Sequence, residues 1–151
     1  MPDDPSETPG TSDSPGTPAD RPDFREAKNT LAVVLINEHR YSDAIAVLKP
    51  LTEDILYQTP ENAWGNLGWA YLQQGSFDLA IDALKRSVAA QPVFCVGSYR
   101  LGLAFEHKQE LTSALDAFTR ALEAFSCATL PSITSIIPPL AASTAKLEAS
   151  A

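Results

Sequence analysis

The chain has 151 residues, with nineteen acidic and eleven basic side chains and a net charge of −8. That length fits one domain with a real core. The balance leaves no basic footprint for nucleic acid and does not select an anionic membrane, and no apolar run approaches membrane-span length. The charge is uneven: residues 1–24 hold six acids and one base, net −5, and the remaining 13 acids and 10 bases leave −3.

Residues 1–23 (MPDDPSETPGTSDSPGTPADRPD) contain six of the twelve prolines and no large apolar residue after Met1. Such a stretch cannot bury enough surface to offset its ordering entropy, so it is expected to be a disordered acidic linker. It has neither the basic n-region nor the apolar h-region of a signal peptide, and no early cysteine to lipidate. Its composition suits a spacer between a membrane anchor and a folded domain.

Folded structure is expected from about residue 24. A helix over Arg25 to Glu38 would turn Leu31, Val34 and Leu35 to the core. His39-Arg40 make the turn, and Tyr41 to Tyr57 form a second helix that Pro50 should kink or break near Lys49.

The pattern is clearest over Ala63 to Pro92. Trp64, Leu67, Gly68 and Tyr71 recur at helical spacing, Gly75 ends the helix, and Phe77, Ala80, Ile81, Leu84 and Val88 share one side of a second helix that Pro92 stops. Gly68 and Ala80 fall where two antiparallel helices would cross, where a large side chain would push them apart. Trp64, Leu67, Gly68, Tyr71, Ala80, Ser87 and Pro92 match the W-x2-L-G-x2-Y…A…P pattern, which resembles the tetratricopeptide repeat. The resemblance implies an all-α solenoid of helix-turn-helix units acting as a binding scaffold.

Neighbouring segments extend the match. Tyr41-Ser42-Asp43-Ala44 aligns with Phe77-Asp78-Leu79-Ala80 at an offset of 36 rather than 34, so two extra residues sit in the second helix or the loop after it. Leu101, Gly102, Phe105, Ala114, Phe118 and Ala121 each lie 34 residues after Leu67, Gly68, Tyr71, Ala80, Leu84 and Ser87. The expected organisation is three repeats, at about 25–57, 61–94 and 95–127, within a domain over 24–127. Three is roughly the minimum for a stable stack. The tail over 128–151, with Pro131, Pro138 and Pro139, is a poor capping helix and should be weakly ordered.

Cys95 opens the first helix of the third repeat and Cys127 closes its second. Antiparallel helices bring those ends together, so a disulfide is geometrically allowed. It would contribute on the order of 3 kcal/mol and imply an oxidising compartment; the alternative is two buried thiols in a cytosolic protein. No spacing suits a metal, with His39 and His107 far from any C-x2-C or H-x3-H arrangement. No Walker loop, G-x-S-x-G or G-x-G-x-x-G occurs. Gly65 and Gly68 serve helix packing, and Asp78 with Asp82 reads as a solvated face. The expectation is no cofactor, no metal, no small-molecule substrate and no catalysis.

In tetratricopeptide stacks the first helix of each repeat lines a concave groove. One helical step from the packing positions lie Glu26, Thr30, Val33 and Asn37 in the first repeat, and Asn62, Asn66, Trp69 and Gln73 in the second. The third repeat supplies Val96, Arg100, Leu103 and His107, with Tyr99 and Glu106 alongside. Trp69 is surplus to the repeat, whose packing Trp64 and Tyr71 already supply, and so is a candidate anchor for a partner; the alternative is that it packs against the first helix of the next repeat. Of the five-residue Lys/Asn/Arg set with which some repeat domains clamp a C-terminal carboxylate, only Asn66 and Arg100 match; Asn29, Val33 and Val96 replace the rest, which argues against that specificity. A groove mixing Val33, Trp69 and Leu103 with Asn62, Asn66, Gln73 and Arg100 suits an amphipathic helix or an extended apolar segment.

A narrower resemblance runs over about Tyr41 to Cys127. Asn66-Leu67-Gly68-Trp69-Ala70-Tyr71, Tyr99-Arg100-Leu101-Gly102-Leu103-Ala104-Phe105 and the two cysteines are similar to the tetratricopeptide lipoproteins, often called pilotins, that assist type IV pilus secretin assembly. It implies a secretin or pilus component as partner, a site on the periplasmic face of the outer membrane, membrane contact only through an anchor outside this sequence, and a Cys95–Cys127 disulfide. The rival expectation is a cytoplasmic adaptor or co-chaperone with the same groove.

Overall fold

The structure, a computed structural model, describes residues 21–124. They form six helices, α1 (Pro22–Asn37), α2 (Tyr41–Glu53), α3 (Pro60–Gln74), α4 (Phe77–Ala90), α5 (Cys95–His107) and α6 (Leu111–Glu123). Helices pair as α1–α2, α3–α4 and α5–α6, and each pair packs on the next through α2–α3 and α4–α5. The first helices also touch one another, α1 with α3 and α3 with α5, while the second helices of neighbouring repeats are less close. First helices therefore line the inner side of the curve and second helices the outer side.

The crossing within each repeat depends on small residues. A β-carbon on Gly68 would run into Leu84 Cγ and come within 3.2 Å of the Ala80 carbonyl oxygen. One on Gly102 would lie 2.5 Å from the Phe118 ring. The equivalent position in the first repeat is Ala32, fully buried, as is Leu48, the counterpart of Leu84. Around these crossings the predicted packing residues Leu67, Tyr71, Ala80, Leu101, Phe105 and Ala114 are buried, and Trp64 is half-buried against the same core.

All three intra-repeat turns close alike. His39, Gly75 and Gln109 have φ of 61°, 85° and 62°. The following amide in each case donates back to the first helix, Arg40 to Leu35, Ser76 to Tyr71 and Glu110 to Phe105, at 2.8, 2.9 and 2.9 Å. This is the Schellman closure, which requires a left-handed residue. Only the middle turn fills it with glycine.

The first repeat departs from expectation in three ways. Helix α1 begins at Pro22, so Pro22 and Asp23 belong to it and not to the linker; proline at the first helical position loses no bond, and Asp23 suits the positive helix end. Its buried face is Ala32, Leu35 and Ile36, whereas Leu31 and Val34 are exposed, because no described element packs where a preceding repeat would. Helix α2 runs through Pro50 to Glu53 instead of breaking near Lys49, and stops short of Tyr57. Proline lacks only its own donor, and one missing bond in the last turns is tolerable once Leu48 and Leu51 on either side are buried. The two extra residues therefore fall in the six-residue connection 54–59, against the four residues 91–94 between α4 and α5. Residues 1–20 of the linker, the 128–151 tail and Cys127 lie outside the described residues.

Candidate functional site: the face of the first helices

Equivalent positions on α1, α3 and α5 form rows across the inner face. Val33, Trp69 and Leu103 make an apolar row, with Trp69 and Leu103 half-buried against the core. Asn37, Gln73 and His107 make an exposed row at the helix C-terminal ends.

On the other side of the apolar row, toward the helix N-terminal ends, runs a hydrogen-bonded chain. Asn66 Nδ2 donates to Asn29 Oδ1 at 3.0 Å, and Arg100 Nη1 donates to Asn66 Oδ1 at 3.1 Å and to the Gly65 carbonyl at 3.0 Å. The Arg100 guanidinium also lies 5.1 Å from the centre of the Trp69 ring, a cation–π distance. Burial pulls the Arg100 pKa down to about 10, so the side chain stays cationic at neutral pH. Among the described residues no carboxylate forms an ion pair with it. The site is thus a fixed cation beside an aromatic face.

The structure brings Asn66, Trp69 and Arg100 together, while other predicted groove residues turn elsewhere. The His107 ring stacks on Phe77 of α4, centroids 5.0 Å apart and 6° from parallel. Tyr99 leans on Phe118 of α6, centroids 5.9 Å apart; burial, with Glu106 nearby, pushes its hydroxyl pKa up. Asn62 is half-buried at the start of α3. Asn66 and Arg100 spend part of their hydrogen-bonding capacity on each other, so less of it faces a ligand. Sequence reasoning missed the structural part of Asn29, whose signal was its spacing: 37 residues before Asn66, itself 34 before Arg100, close to the repeat period.

The N-terminal edge of this face carries a second polar cluster. Arg25 Nε donates to Asp54 Oδ2 at 2.6 Å, and Arg25 together with the Leu56 amide holds the Asp54 carboxyl below the usual carboxylate range. Tyr57, buried, donates its hydroxyl to Glu26 at 2.9 Å, and its pKa is pushed up to about 12, chiefly by burial. These contacts tie the lengthened 54–59 connection to α1. At the far end Cys95 is buried beside Ala124. Among the described residues no group of three or more His, Cys, Asp or Glu is placed to hold a metal ion, and no helix is long and apolar enough to cross a membrane.

Three stacked helix pairs, curved with the first helices inside, define a helical-repeat solenoid. A tetratricopeptide repeat model matches residues 29–93 and 97–126, and the chain belongs to the tetratricopeptide repeat family. No curated protein sequence matches it. Among solved structures it is similar to PilW, a widely conserved type IV pilus biogenesis factor, at 29% identity and TM-score 0.64 over 72% of this chain and 50% of that one. It is similar to MamA at 28% identity and TM-score 0.59, over 66% of this chain and 57% of that one. The type III secretion translocator chaperone SycD of Yersinia enterocolitica shares the fold at 21% identity and TM-score 0.68, over 85% of this chain and 96% of SycD. The chain thus spans little more than half the length of PilW and MamA.

Proposed function

We propose that this chain is a non-catalytic protein-binding scaffold that holds an apolar or amphipathic segment of a partner along the Val33–Trp69–Leu103 row, and that it serves type IV pilus assembly. The observation that carries the binding reading is the Arg100–Trp69 pair set in the Asn29–Asn66–Arg100 chain. It offers a fixed aromatic and cationic surface whose immobilisation is complete before a partner arrives, which lowers the entropy cost of binding. Likeness to PilW and the local sequence resemblance support the pilus assignment. That assignment brings with it a secretin or pilus protein as partner, a place on the periplasmic face of the outer membrane reached through an anchor, and a Cys95–Cys127 disulfide. Burial of Cys95 against Ala124, three residues before Cys127, favours such a pairing.

The test is co-purification of the chain with the secretin from pilus-bearing cells, comparing the wild type with Trp69→Ala. Trp69→Ala should lose at least tenfold in secretin recovery at an unchanged helical circular dichroism spectrum. Equal recovery would remove the groove from the interaction. Absence of secretin with the wild type, together with two free thiols on titration of protein from its native compartment, would move the reading to a cytoplasmic adaptor or co-chaperone.

A further inference from the structure

The two ends of the stack expose faces that its interior buries. On α1, Ala27, Leu31 and Val34 occupy the positions of Ala63, Leu67 and Ala70 on α3, and of Gly97, Leu101 and Ala104 on α5. Leu31 is 49% exposed, whereas Leu67 and Leu101 are 3% and 8% exposed. The internal copies are covered by the second helix of the preceding repeat, α2 over α3 and α4 over α5. On α6, Leu111, Leu115 and Leu122 stand where α4 has Phe77, Ile81 and Val88. Leu115 is 57% exposed, while its counterparts Ile45 and Ile81 are 9% and 8% exposed beneath the following repeat.

From this we infer that the α6 face of one copy docks on the α1 face of another, continuing the α2–α3 and α4–α5 junctions between chains. The occupant follows from register. The chain makes this junction twice within itself, and its two ends carry the two unmatched halves. Exposed leucines at i, i+4 and i+11 of α6 form one stripe along the helix, and such a stripe on a solvated surface marks an interaction site. Residues 1–20 hold no large apolar side chain after Met1 and so offer no apolar counterpart to the α1 face. In the internal junction the 91–94 connection joins the C-terminal end of α4 to the N-terminal end of α5 at one edge, and the equivalent ends here are those of α6 and α1. Because the two faces differ, the contact is heterologous and does not close on itself as a two-fold dimer does. The expected product is an open series of copies.

Sedimentation of the full chain from micromolar to millimolar concentration tests this. The wild type should grow past the dimer. Leu31→Glu, which blocks the α1 face, and Leu115→Glu, which blocks the α6 face, should each stay monomeric with unchanged helical content, since both sites are exposed in the monomer. Mixed one to one, they should form a species of twice the monomer mass, because each retains the face that the other lacks. A wild type that remains monomeric overturns the inference, as it would if residues 125–151 or a preceding segment of a longer protein covered these faces. A wild type that stops at a dimer, or that Leu115→Glu disrupts while Leu31→Glu does not, indicates symmetric α6–α6 pairing and also overturns it. A mixture of the two variants that stays monomeric does the same.

Discussion

The first and second repeats reach the same helix pair with different residues. In the second, the crossing is Gly68 against Leu84 and the turn is Gly75. In the first, the fully buried Ala32 and Leu48 hold the equivalent positions and the turn is His39, with the same backward hydrogen bond to the first helix. The family signature therefore marks one solution to two requirements: close approach of the backbones at the crossing, and one left-handed residue at the turn. Where a larger residue or a non-glycine stands, the geometry is held by the rest of the stack.

The largest expected effect comes from enlarging the crossing where it is tightest. Gly68→Val should destabilise by about 3 kcal/mol in urea denaturation, since Leu84 cannot yield without displacing the helix beneath it. Ala32→Gly, at the matching site, should cost only about 1 kcal/mol through helix propensity. A loss at Gly68→Val no larger than that at Ala32→Gly would show that Leu84 yields to the added side chain.

A smaller contrast concerns the turns. Gly75→Ala, at φ 85°, should lose about 1–2 kcal/mol of stability. Gln109→Gly should gain up to about 1 kcal/mol by relieving the same left-handed conformation. His39→Gly should gain less, because His39 Nδ1 also bonds the Tyr41 hydroxyl at 2.6 Å. A loss at Gln109→Gly would show that its side chain contributes more than its backbone strain costs.

The smallest effect distinguishes the first repeat by pH. The Asp54 carboxyl is held low by Arg25 and the Leu56 amide, so its contribution is full above the unfolded carboxylate pKa of about 4 and is lost as the pH falls below that. Asp54→Asn should flatten the acid limb of a thermal-denaturation pH profile and leave the neutral-to-basic part parallel to the wild type. An unchanged acid limb would show that the pair does not contribute in solution.

Much of this architecture was legible from spacing. The 34-residue offset aligns the second crossing with the third, and Gly75 marks its turn. Periodicity failed at α1 because it identifies which residues are apolar and not which neighbour is present: Leu31 and Val34 have the pattern of core residues and lack the preceding repeat that would bury them. It failed at Pro50 because burial of Leu48 and Leu51 outweighs one missing bond. The inner face was half legible. The Val33–Trp69–Leu103 row follows from the repeat period. The turn of His107 onto Phe77 and of Tyr99 onto Phe118 depends on side-chain direction, which spacing does not carry.

The lengthened connection between α2 and α3 also changes how the stack comes apart. In a nearest-neighbour array the terminal unit opens first, held on one side only. Here Asp54 grips Arg25, and Tyr57 and Thr59 both reach Glu26, so the linker after the first repeat fastens the start of its first helix. Amides near the N-terminal end of α1 should then exchange together with those around Tyr57, as one cooperative unit rather than a fraying end.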